Sequence, residues 1–251
     1  MPESQPALDF VKTGDGLRLA YRLRPATAPT LVFLPGYASD MDGTKALALD
    51  AYAASRGVGL LRFDYSGTGS SGGAFEDGTL SGWLAEALEL VERLVDSPLI
   101  LVGSSMGAWI ALHLALRLPH RVEALVGIAA APDFTEWGYT SEQQAALRRN
   151  GRYHRPNPYG GNSQLTTLAL WQSGQELRLL DGPIAIDCPV RLVHGAADRD
   201  VPLAIPTKLM DQLRSADVQL NILKGGGHRL SEPHEIDVIV RTVAALLEPQ
   251  P

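Results

Sequence analysis

The sequence predicts an α/β fold, in which an eight-stranded and mostly parallel sheet carries helices on both faces. Short apolar and β-branched runs alternate with longer amphipathic stretches along the chain. Each short run ends where Gly, Ser or Asp begins a loop. The length of 251 residues suits one large globular domain, or one domain with a small insertion.

Eight runs have the length and composition of strands. The first two are joined by the turn sequence 14–16 (GDG), which predicts an antiparallel hairpin at one edge of the sheet. The six later strands are predicted to be parallel, because helical stretches lie between them. The eight predicted strands are residues 8–12, 17–23, 30–34, 58–64, 99–102, 124–130, 190–194 and 219–223.

Five stretches carry apolar residues at the spacing of an amphipathic helix. The third is apolar nearly all round, so it is expected to be buried. The predicted helices are residues 43–56, 80–95, 106–118, 204–213 and 236–247.

The alternation of strands and helices stops between Asp133 and Asp187. About fifty residues there are rich in Gly, Pro, Asn, Tyr and Trp, and loops of that length without structure are rare in compact domains. The segment is therefore predicted to be a small helical lid over residues 135–187, while residues 1–134 and 188–251 form the core domain.

The composition argues against several classes of protein. A formal net charge of −6 repels phosphate backbones, so nucleic acid is not an expected partner. Every apolar stretch is interrupted well before the roughly 18 residues of a membrane-spanning helix. The first ten residues show neither a signal-peptide nor a transit-peptide pattern, which predicts a cytoplasmic protein. The single cysteine, Cys188, is expected to be a buried side chain without a catalytic role.

Residues 103–107 (GSSMG) match the G-x-S-x-G nucleophile elbow and lie between a predicted strand and a predicted helix. In such an elbow the central serine, here Ser105, occupies a strained turn that lifts its hydroxyl above the sheet. A side chain at either flanking position would strike the neighbouring strand or helix, so both positions need glycine. The motif predicts that Ser105 is a catalytic nucleophile.

A serine hydroxyl is a poor nucleophile at neutral pH until an imidazole accepts its proton and a carboxylate orients that imidazole. Asp198 follows the seventh predicted strand, and His228 follows the eighth after three glycines. Serine, then acid, then histidine is the chain order that accompanies this elbow. Asp200 is an alternative acid, although its position favours a turn or a helix cap. Asp133 is a weaker alternative.

The anionic intermediate of acyl transfer needs hydrogen-bond donors. The backbone N–H of Met106 is one candidate, because it follows the nucleophile at the positive end of a helix. The second donor is assigned to Tyr37, which follows the third predicted strand in the sequence 34–37 (LPGY). Tyr37 and Met106 are therefore the predicted oxyanion hole.

A competing motif lies at residues 67–72 (GTGSSG), which spell the G-x-G-x-x-G pattern of dinucleotide-binding loops. That fingerprint opens a helix at once, whereas here a loop continues to Thr79, so the segment is predicted to be a glycine-rich loop beside the active site. No histidine sits with Cys, Asp or another His at metal-ligand spacing. Neither a metal nor a cofactor is predicted.

Six longer strings carry a resemblance to a known family, namely residues 33–37, 43–48, 62–67, 103–107, 188–191 and 228–229. They resemble one subfamily of α/β-hydrolase-domain proteins, the subfamily that contains the mitochondrial palmitoyl-protein thioesterase, also described as the mycophenolic acid acyl-glucuronide esterase. The resemblance implies the α/β-hydrolase fold and the same serine, aspartate and histidine, and it implies palmitoyl thioesters as substrates by analogy. It extends over nearly the whole chain outside the lid.

The lid contains aromatic and apolar side chains that fit either of two roles. They could line an acyl pocket over Ser105, or they could form the core of the lid itself. Trp137 and Trp171 are the predicted substrate-binding residues among them. The full set is Trp137, Tyr139, Tyr153, Tyr159, Leu165, Leu168 and Trp171.

The lid also holds a dense group of basic residues. This group could attract a carboxylate or phosphate on a substrate, although a solvated helix face is the simpler interpretation. Its members are Arg148, Arg149, Arg152, His154 and Arg155.

Two functions of different classes follow from these observations. The first is an acyl esterase or thioesterase that acts through an acyl-serine intermediate on a small-molecule or acyl-protein substrate. The second is a ligand-binding receptor on the same fold with negligible turnover. A dehalogenase or epoxide hydrolase would need aspartate at the elbow, and Ser105 argues against that class.

Overall fold

The computed structural model describes residues 5–14, 16–26, 29–155 and 163–248. Within these ranges the chain forms ten strands, of which all but β7 and β8 belong to one central sheet. The strands are β1 (Asp9–Lys12), β2 (Arg18–Arg24), β3 (Thr30–Leu34), β4 (Gly59–Phe63), β5 (Leu99–Ser104), β6 (Val122–Ile128), β7 (Arg152–Arg155), β8 (Gln164–Thr167), β9 (Val190–Gly195) and β10 (Val218–Leu223).

The central sheet has the strand order β1-β2-β4-β3-β5-β6-β9-β10. Strand β2 pairs in antiparallel with both β1 and β4, and all the other pairs are parallel. The predicted eight-stranded, mostly parallel sheet is confirmed, and so is the hairpin at its edge. Asp15 in the turn of that hairpin lies outside the described residues.

Eight α-helices and one short 3₁₀ helix, Phe75–Asp77, occur in the described part of the chain. None of these helices combines the length and the apolar character needed to cross a lipid bilayer. The α-helices are α1 (Thr44–Arg56), α2 (Leu80–Leu94), α3 (Met106–Arg117), α4 (Phe134–Trp137), α5 (Ser141–Asn150), α6 (Leu168–Glu176), α7 (Ala204–Gln212) and α8 (Pro233–Leu247).

Alternate side chains of the parallel strands point to opposite faces of the sheet, and each face has its own hydrophobic core. On β3, for example, Val32 belongs to the core that includes residues of α2 and α3, whereas Leu31 belongs to the core that includes residues of α1 and α8. Helix α3 packs against both the sheet and α2, and all its residues from Met106 to Ala115 are buried. This burial confirms the expectation from its apolar sequence, and it holds the first turn of the helix against the sheet.

The insertion between β6 and β9 contains helices α4, α5 and α6, and also the antiparallel pair formed by β7 and β8. The two strands were not expected in a helical lid. Each has only four residues, and the sequences RYHR and QLTT lack the apolar alternation that identifies a half-buried strand. Strand β7 contacts α5, and β8 contacts α6. The pairing of the two strands therefore depends on tertiary packing that a local sequence pattern does not show.

Buried polar groups tie the end of the insertion to the core domain. The carboxylate of Asp133 accepts hydrogen bonds from the backbone N–H groups of Leu179 and Leu180, at 2.9 and 2.7 Å. On α3, the Trp109 indole and the His113 imidazole both bind the carbonyl oxygen of Leu177, at 3.0 and 2.8 Å. Asp133, an alternative acid in the sequence analysis, is therefore committed to holding the two ends of the insertion together.

Candidate active site

The turn between β5 and α3 places Ser105 above the carboxyl end of the sheet. Ser105 has φ 54° and ψ −116°, a strained backbone for a residue with a side chain. A Cβ atom on Gly103 would lie 2.4 Å from the Cα of Ala108, and one on Gly107 would lie 2.1 Å from the carbonyl oxygen of Leu34. Because both contacts are with backbone, only glycine fits at either position.

Ser105, His228 and Asp198 lie together in one hydrogen-bonded chain. The Nε2 atom of His228 is 3.1 Å from the Oγ of Ser105, and its Nδ1 atom is 2.9 Å from the Oδ2 of Asp198. In this geometry Nδ1–H donates to the carboxylate and Nε2 is free to accept the serine proton. The structure thus brings together three residues that are far apart in the sequence.

Asp198 is almost completely enclosed, with its side chain 1% exposed. Burial acts to raise the pKa of this carboxyl, but hydrogen bonding to His228, the charge on that imidazole, and the backbone N–H groups of Val201 and Asp200 together lower it below the usual value. The two N–H groups bind Oδ1 at 2.9 and 2.8 Å, which leaves Oδ2 for the imidazole. Asp198 is therefore held as an anion that faces His228.

Asp200, the alternative acid, lies beside the same cavity but supplies its backbone N–H to Asp198. Ligand atoms of Asp198, Asp200 and His228 fall within 4.8 Å of one another, a spacing that a metal ion could also use. The hydrogen bonds of Asp198 already occupy both of its oxygens, so the observed arrangement matches a serine-activating site better than a metal site.

The loop after β10 carries His228 through three glycines, of which Gly225 has φ +79°. A Cβ on Gly195, at the end of β9, would lie 2.2 Å from the carbonyl oxygen of Gly226. The Ala197 N–H donates to that same carbonyl at 2.9 Å. This close approach of two backbones sets the loop of His228 directly beside the loop of Asp198.

Tyr37 and Met106 lie at equivalent positions just beyond the ends of two neighbouring strands. Strands β3 and β5 are parallel, with Leu34 in register with Gly103. Tyr37 and Met106 each follow that register pair by three residues, and both line the cavity beside Ser105. A Cβ on Gly36 would lie 3.4 Å from the Cβ of Ser105, so the loop before Tyr37 passes against the serine.

A cavity of about 490 Å³ opens over Ser105, a volume within the range of small-molecule sites. Its floor is formed by the loops after β3 and β5, and its cover by the insertion. The lining combines polar side chains of the insertion, such as Arg155, Gln164 and Thr166, with apolar and aromatic side chains. The apolar and aromatic set includes Phe75, Met106, Phe134, Trp137, Tyr139 and Leu165.

The two tryptophans predicted to bind substrate have different positions. Trp137 lines the cavity, and its indole N–H is bound to the carbonyl oxygen of Pro132 at 2.8 Å. Trp171 was expected there too, but it is only 7% exposed and packs with Tyr139 and Leu147 in the core of the insertion. The expectation for Trp171 is corrected, because α6 turns this indole inward, where its N–H binds the carbonyl of Thr135 at 2.8 Å.

The remaining aromatic and apolar residues of the predicted pocket divide in the same way. Leu165 lines the cavity, and Tyr139 both lines it and belongs to the core of the insertion. Tyr153 and Leu168 pack against that core. Tyr159 lies outside the described residues.

One member of the basic group reaches the cavity. Arg155 lines it and binds the Oε1 of Gln164 at 2.9 Å. Arg148 lies over the ring of Trp171 at 4.8 Å, and Arg152 pairs with Glu76 at 3.6 Å on the surface. The group is therefore not a single anion-binding cluster.

The glycine-rich loop 67–72 wraps around a carboxylate of the protein itself. Asp64 accepts hydrogen bonds from the backbone N–H groups of Ser70 and Met41, both at 2.7 Å. A Cβ on Gly69, which has φ +48°, would lie 2.0 Å from the Oδ2 of Asp64. One N–H of the loop, that of Ser70, thus binds a buried carboxylate, and the loop does not open a helix as a dinucleotide fingerprint does.

The lining residues that sequence reasoning missed include Lys45, Phe75, Phe134 and Arg229. Lys45 lies in string 43–48 and Arg229 in string 228–229, but the strings say nothing about where these side chains go. Lys45 and Arg229 could be noticed only through the family resemblance of these strings, and no local sequence pattern indicates either residue.

A family model described as "Alpha/beta hydrolase family" matches residues 31–241. The match runs from the strand before Tyr37 to a point beyond His228, so it includes every part of the candidate site. The chain therefore belongs to the α/β hydrolase family, and the predicted fold and hydrolase class are confirmed.

The chain is 35% identical over 246 residues to "Palmitoyl-protein thioesterase ABHD10, mitochondrial" of Homo sapiens, which covers 96% of this chain and 80% of the relative. A solved structure of a putative hydrolase from Agrobacterium vitis S4 is 41% identical with a TM-score of 0.91, and covers 96% of this chain and 99% of that one. Mouse α/β hydrolase domain-containing protein 10 is 34% identical with a TM-score of 0.90, over 96% and 98% of the two chains. The predicted resemblance to this subfamily is confirmed.

The comparison also corrects the expected cytoplasmic location. The mammalian ABHD10 relatives at 34–35% identity are named mitochondrial, which contradicts a cytoplasmic assignment. The expectation rested only on the pattern of the first ten residues. Such a pattern is therefore a weak guide to the compartment.

Proposed function

We propose that this protein is a serine hydrolase that cleaves carboxylic esters or thioesters through an acyl-serine intermediate. The observation that carries the proposal is the pair of hydrogen bonds of His228, 3.1 Å to Ser105 Oγ and 2.9 Å to Asp198 Oδ2. These distances lie within hydrogen-bond reach of a nucleophile, its general base and the group that orients the base.

In the proposed reaction, Ser105 Oγ attacks the substrate carbonyl carbon while His228 Nε2 takes the hydroxyl proton. The carbonyl electron pair moves to oxygen, and the resulting anion accepts hydrogen bonds from the backbone N–H groups of Tyr37 and Met106. The bond to the leaving group then breaks, and the imidazolium of His228 protonates the departing thiol or alcohol. Water repeats the sequence on the acyl-serine and releases the acid. Asp198 keeps the imidazole in the required tautomer throughout.

The substrate we propose is an acyl thioester or ester whose acyl group lies under the insertion. The named activity of the ABHD10 relatives supports acyl thioesters, and the apolar side chains of Phe134, Trp137 and Leu165 support an apolar acyl group. In this proposal residues 135–187 form the lid, and residues 1–134 with 188–251 form the catalytic domain.

The test is turnover of a neutral p-nitrophenyl ester and of the matching thioester, together with covalent labelling by a fluorophosphonate probe. Ser105→Ala should lower kcat by about 10⁴-fold or more and abolish labelling, with an unchanged melting temperature. Asp198→Asn should lower kcat far more than Asp200→Asn, which is the matched control two residues away.

Two results would contradict the proposal. Labelled protein without measurable turnover of any ester or thioester would favour a ligand-binding receptor. Retention of most activity in Ser105→Ala would assign the nucleophile elsewhere.

A further inference from the structure

A lysine at the start of helix α1 reaches the loop that carries His228. Lys45 is the second residue of α1, and its Nζ donates a hydrogen bond to the backbone carbonyl of Arg229, 184 positions further along the chain. Lys45 and Arg229 both line the cavity over Ser105. The bond therefore joins α1 to the residue that directly follows the imidazole.

The loop needs such a contact because its own sequence does little to hold it. Residues 225–227 are three consecutive glycines, and Gly has the largest conformational freedom of any residue. On the side before His228, the loop is held by the bond from the Ala197 N–H to the Gly226 carbonyl at 2.9 Å. On the side after it, Leu230 is buried, with φ 42°. Lys45 binds between these points.

The surroundings of Lys45 are unfavourable for a charge that had no partner. Burial and the nearby Arg229 guanidinium lower the pKa of Lys45 to about 8, while Glu235 opposes them. At neutral pH the ammonium still predominates, and its bond to the carbonyl is charge-assisted, a class roughly twice as strong as neutral hydrogen bonds.

We infer that Lys45 is a positioning residue, which fixes the loop of His228 through the Arg229 carbonyl so that Nε2 stays within reach of Ser105. The inference rests on the proposed function. It assigns no chemical step to Lys45, because the contact of its Nζ is with backbone. It does predict that loss of the ammonium disorders the loop and slows the chemical step without weakening substrate binding.

The experiment compares Lys45→Met, Lys45→Arg and Lys208→Met with the unmodified protein, using a neutral short-chain p-nitrophenyl ester. Lys208 is exposed on α7, so Lys208→Met removes one lysine charge away from the site. Lys45→Met should lower kcat by about 10- to 100-fold with KM changed less than about twofold. Lys45→Arg, which keeps a charged donor, should recover part of the loss, and Lys208→Met should behave as the unmodified protein.

Hydrogen exchange supplies a second measurement that is independent of turnover. The backbone amides of residues 225–230 should exchange faster in Lys45→Met than in Lys208→Met, at equal melting temperature. Unchanged kcat in Lys45→Met would overturn the inference, and so would a raised KM at unchanged kcat, since that result would make Lys45 a substrate-binding residue. Unchanged exchange in the loop would also overturn it. Ser105→Ala in the same series separates the two claims, because its activity decides the proposed function whatever Lys45 does.

Discussion

The hydroxyl of Tyr37 donates a hydrogen bond to the backbone carbonyl of Leu165, which joins the loop after β3 to strand β8 of the insertion. The Tyr37 ring packs against Phe75 and Phe134, with ring centroids 5.2 and 6.1 Å away. The backbone N–H of the same residue is one of the two proposed oxyanion donors. Tyr37 thus connects the cover of the cavity with the part of the site where charge develops in the proposed reaction.

Tyr37→Phe removes this bond and keeps the ring. We expect kcat/KM for a neutral ester to fall by about 3- to 10-fold, since the loop and the insertion lose a partly buried hydrogen bond that joins them. Amides of residues 164–167 should exchange faster. Tyr21→Phe is the matched control, because the Tyr21 hydroxyl binds Asp9 at an exposed edge of the sheet at 3.2 Å. Equal kinetics of the two variants would show that the Leu165 contact has no influence on the site.

Gly107→Ala tests the steric requirement of the elbow. The added Cβ would meet the backbone carbonyls of Leu34 and Pro35 at 2.1 and 2.5 Å, and backbone cannot move aside cheaply. We expect a loss of about 3 kcal/mol or more in the free energy of unfolding, or a failure to fold. Gly182→Ala, where the Cβ meets nothing within 4 Å, should change stability by less than about 1 kcal/mol. Urea denaturation of both variants measures the difference, and similar midpoints would contradict the tight fit.

Trp137→Ala and Trp171→Ala should separate a cavity residue from a core residue. Trp171 is buried in the insertion, so its truncation should lower the free energy of unfolding by about 3–5 kcal/mol. Trp137→Ala should change stability less and should alter the dependence of kcat/KM on acyl-chain length, because Trp137 lines the cavity. An acyl-chain series and thermal melts test both statements. A chain-length profile altered only in Trp171→Ala would reverse the assignment.

Asp133→Ala should loosen the end of the insertion. The substitution leaves the buried N–H groups of Leu179 and Leu180 without their acceptor, which costs about 1–3 kcal/mol in stability for each unsatisfied group. Asp181→Ala is the matched control, because Asp181 is exposed and forms an ion pair with Arg178. This substitution should lower the free energy of unfolding by less than about 1 kcal/mol. Chemical denaturation and hydrogen exchange at residues 177–181 check the prediction. An equal loss in the two variants would mean that Asp133 does not anchor the insertion.

The acid sensitivity of the fold should depend on Asp198. Burial alone would raise the pKa of this carboxyl, but the hydrogen bonds and the His228 charge lower it below 3.8, the ordinary value. A carboxyl with a lowered folded-state pKa adds stability above its unfolded pKa, and this stability is lost as the pH falls through the folded value. The stability difference between the unmodified protein and Asp198→Asn should therefore be present at pH 5 and should shrink as the pH falls below about 3.8. Urea unfolding at pH 6.5, 5 and 3.5 measures it, and a difference that grew at the lowest pH would have the wrong sign.

Local sequence determined the framework of the site. The alternation of apolar runs and amphipathic stretches predicted the strands and helices of the core. It could do so because an element with one buried face carries apolar residues at regular intervals in its sequence. The glycines of the elbow could be identified for the same kind of reason, since Gly103 and Gly107 satisfy a steric condition set by the turn in which they lie. Ser105, Asp198 and His228 were singled out because each follows a predicted strand, and the ends of parallel strands meet at one edge of a sheet.

Tertiary structure decided which side chains share the cavity. Nothing in the sequence distinguished Trp137 from Trp171. Trp137 on α4 lines the cavity, whereas Trp171 on α6 lies in the core of the insertion, because the packing of the two helices orients the side chains differently. The contact of Lys45 with the loop of His228 spans 184 positions, and no local pattern records such a contact. Strands β7 and β8 pair with each other in the structure, but neither sequence has the alternation of apolar and polar residues that would identify it as a strand. Periodicity reports which face of an element is buried, whereas the partner on that face is set by the packing of distant segments.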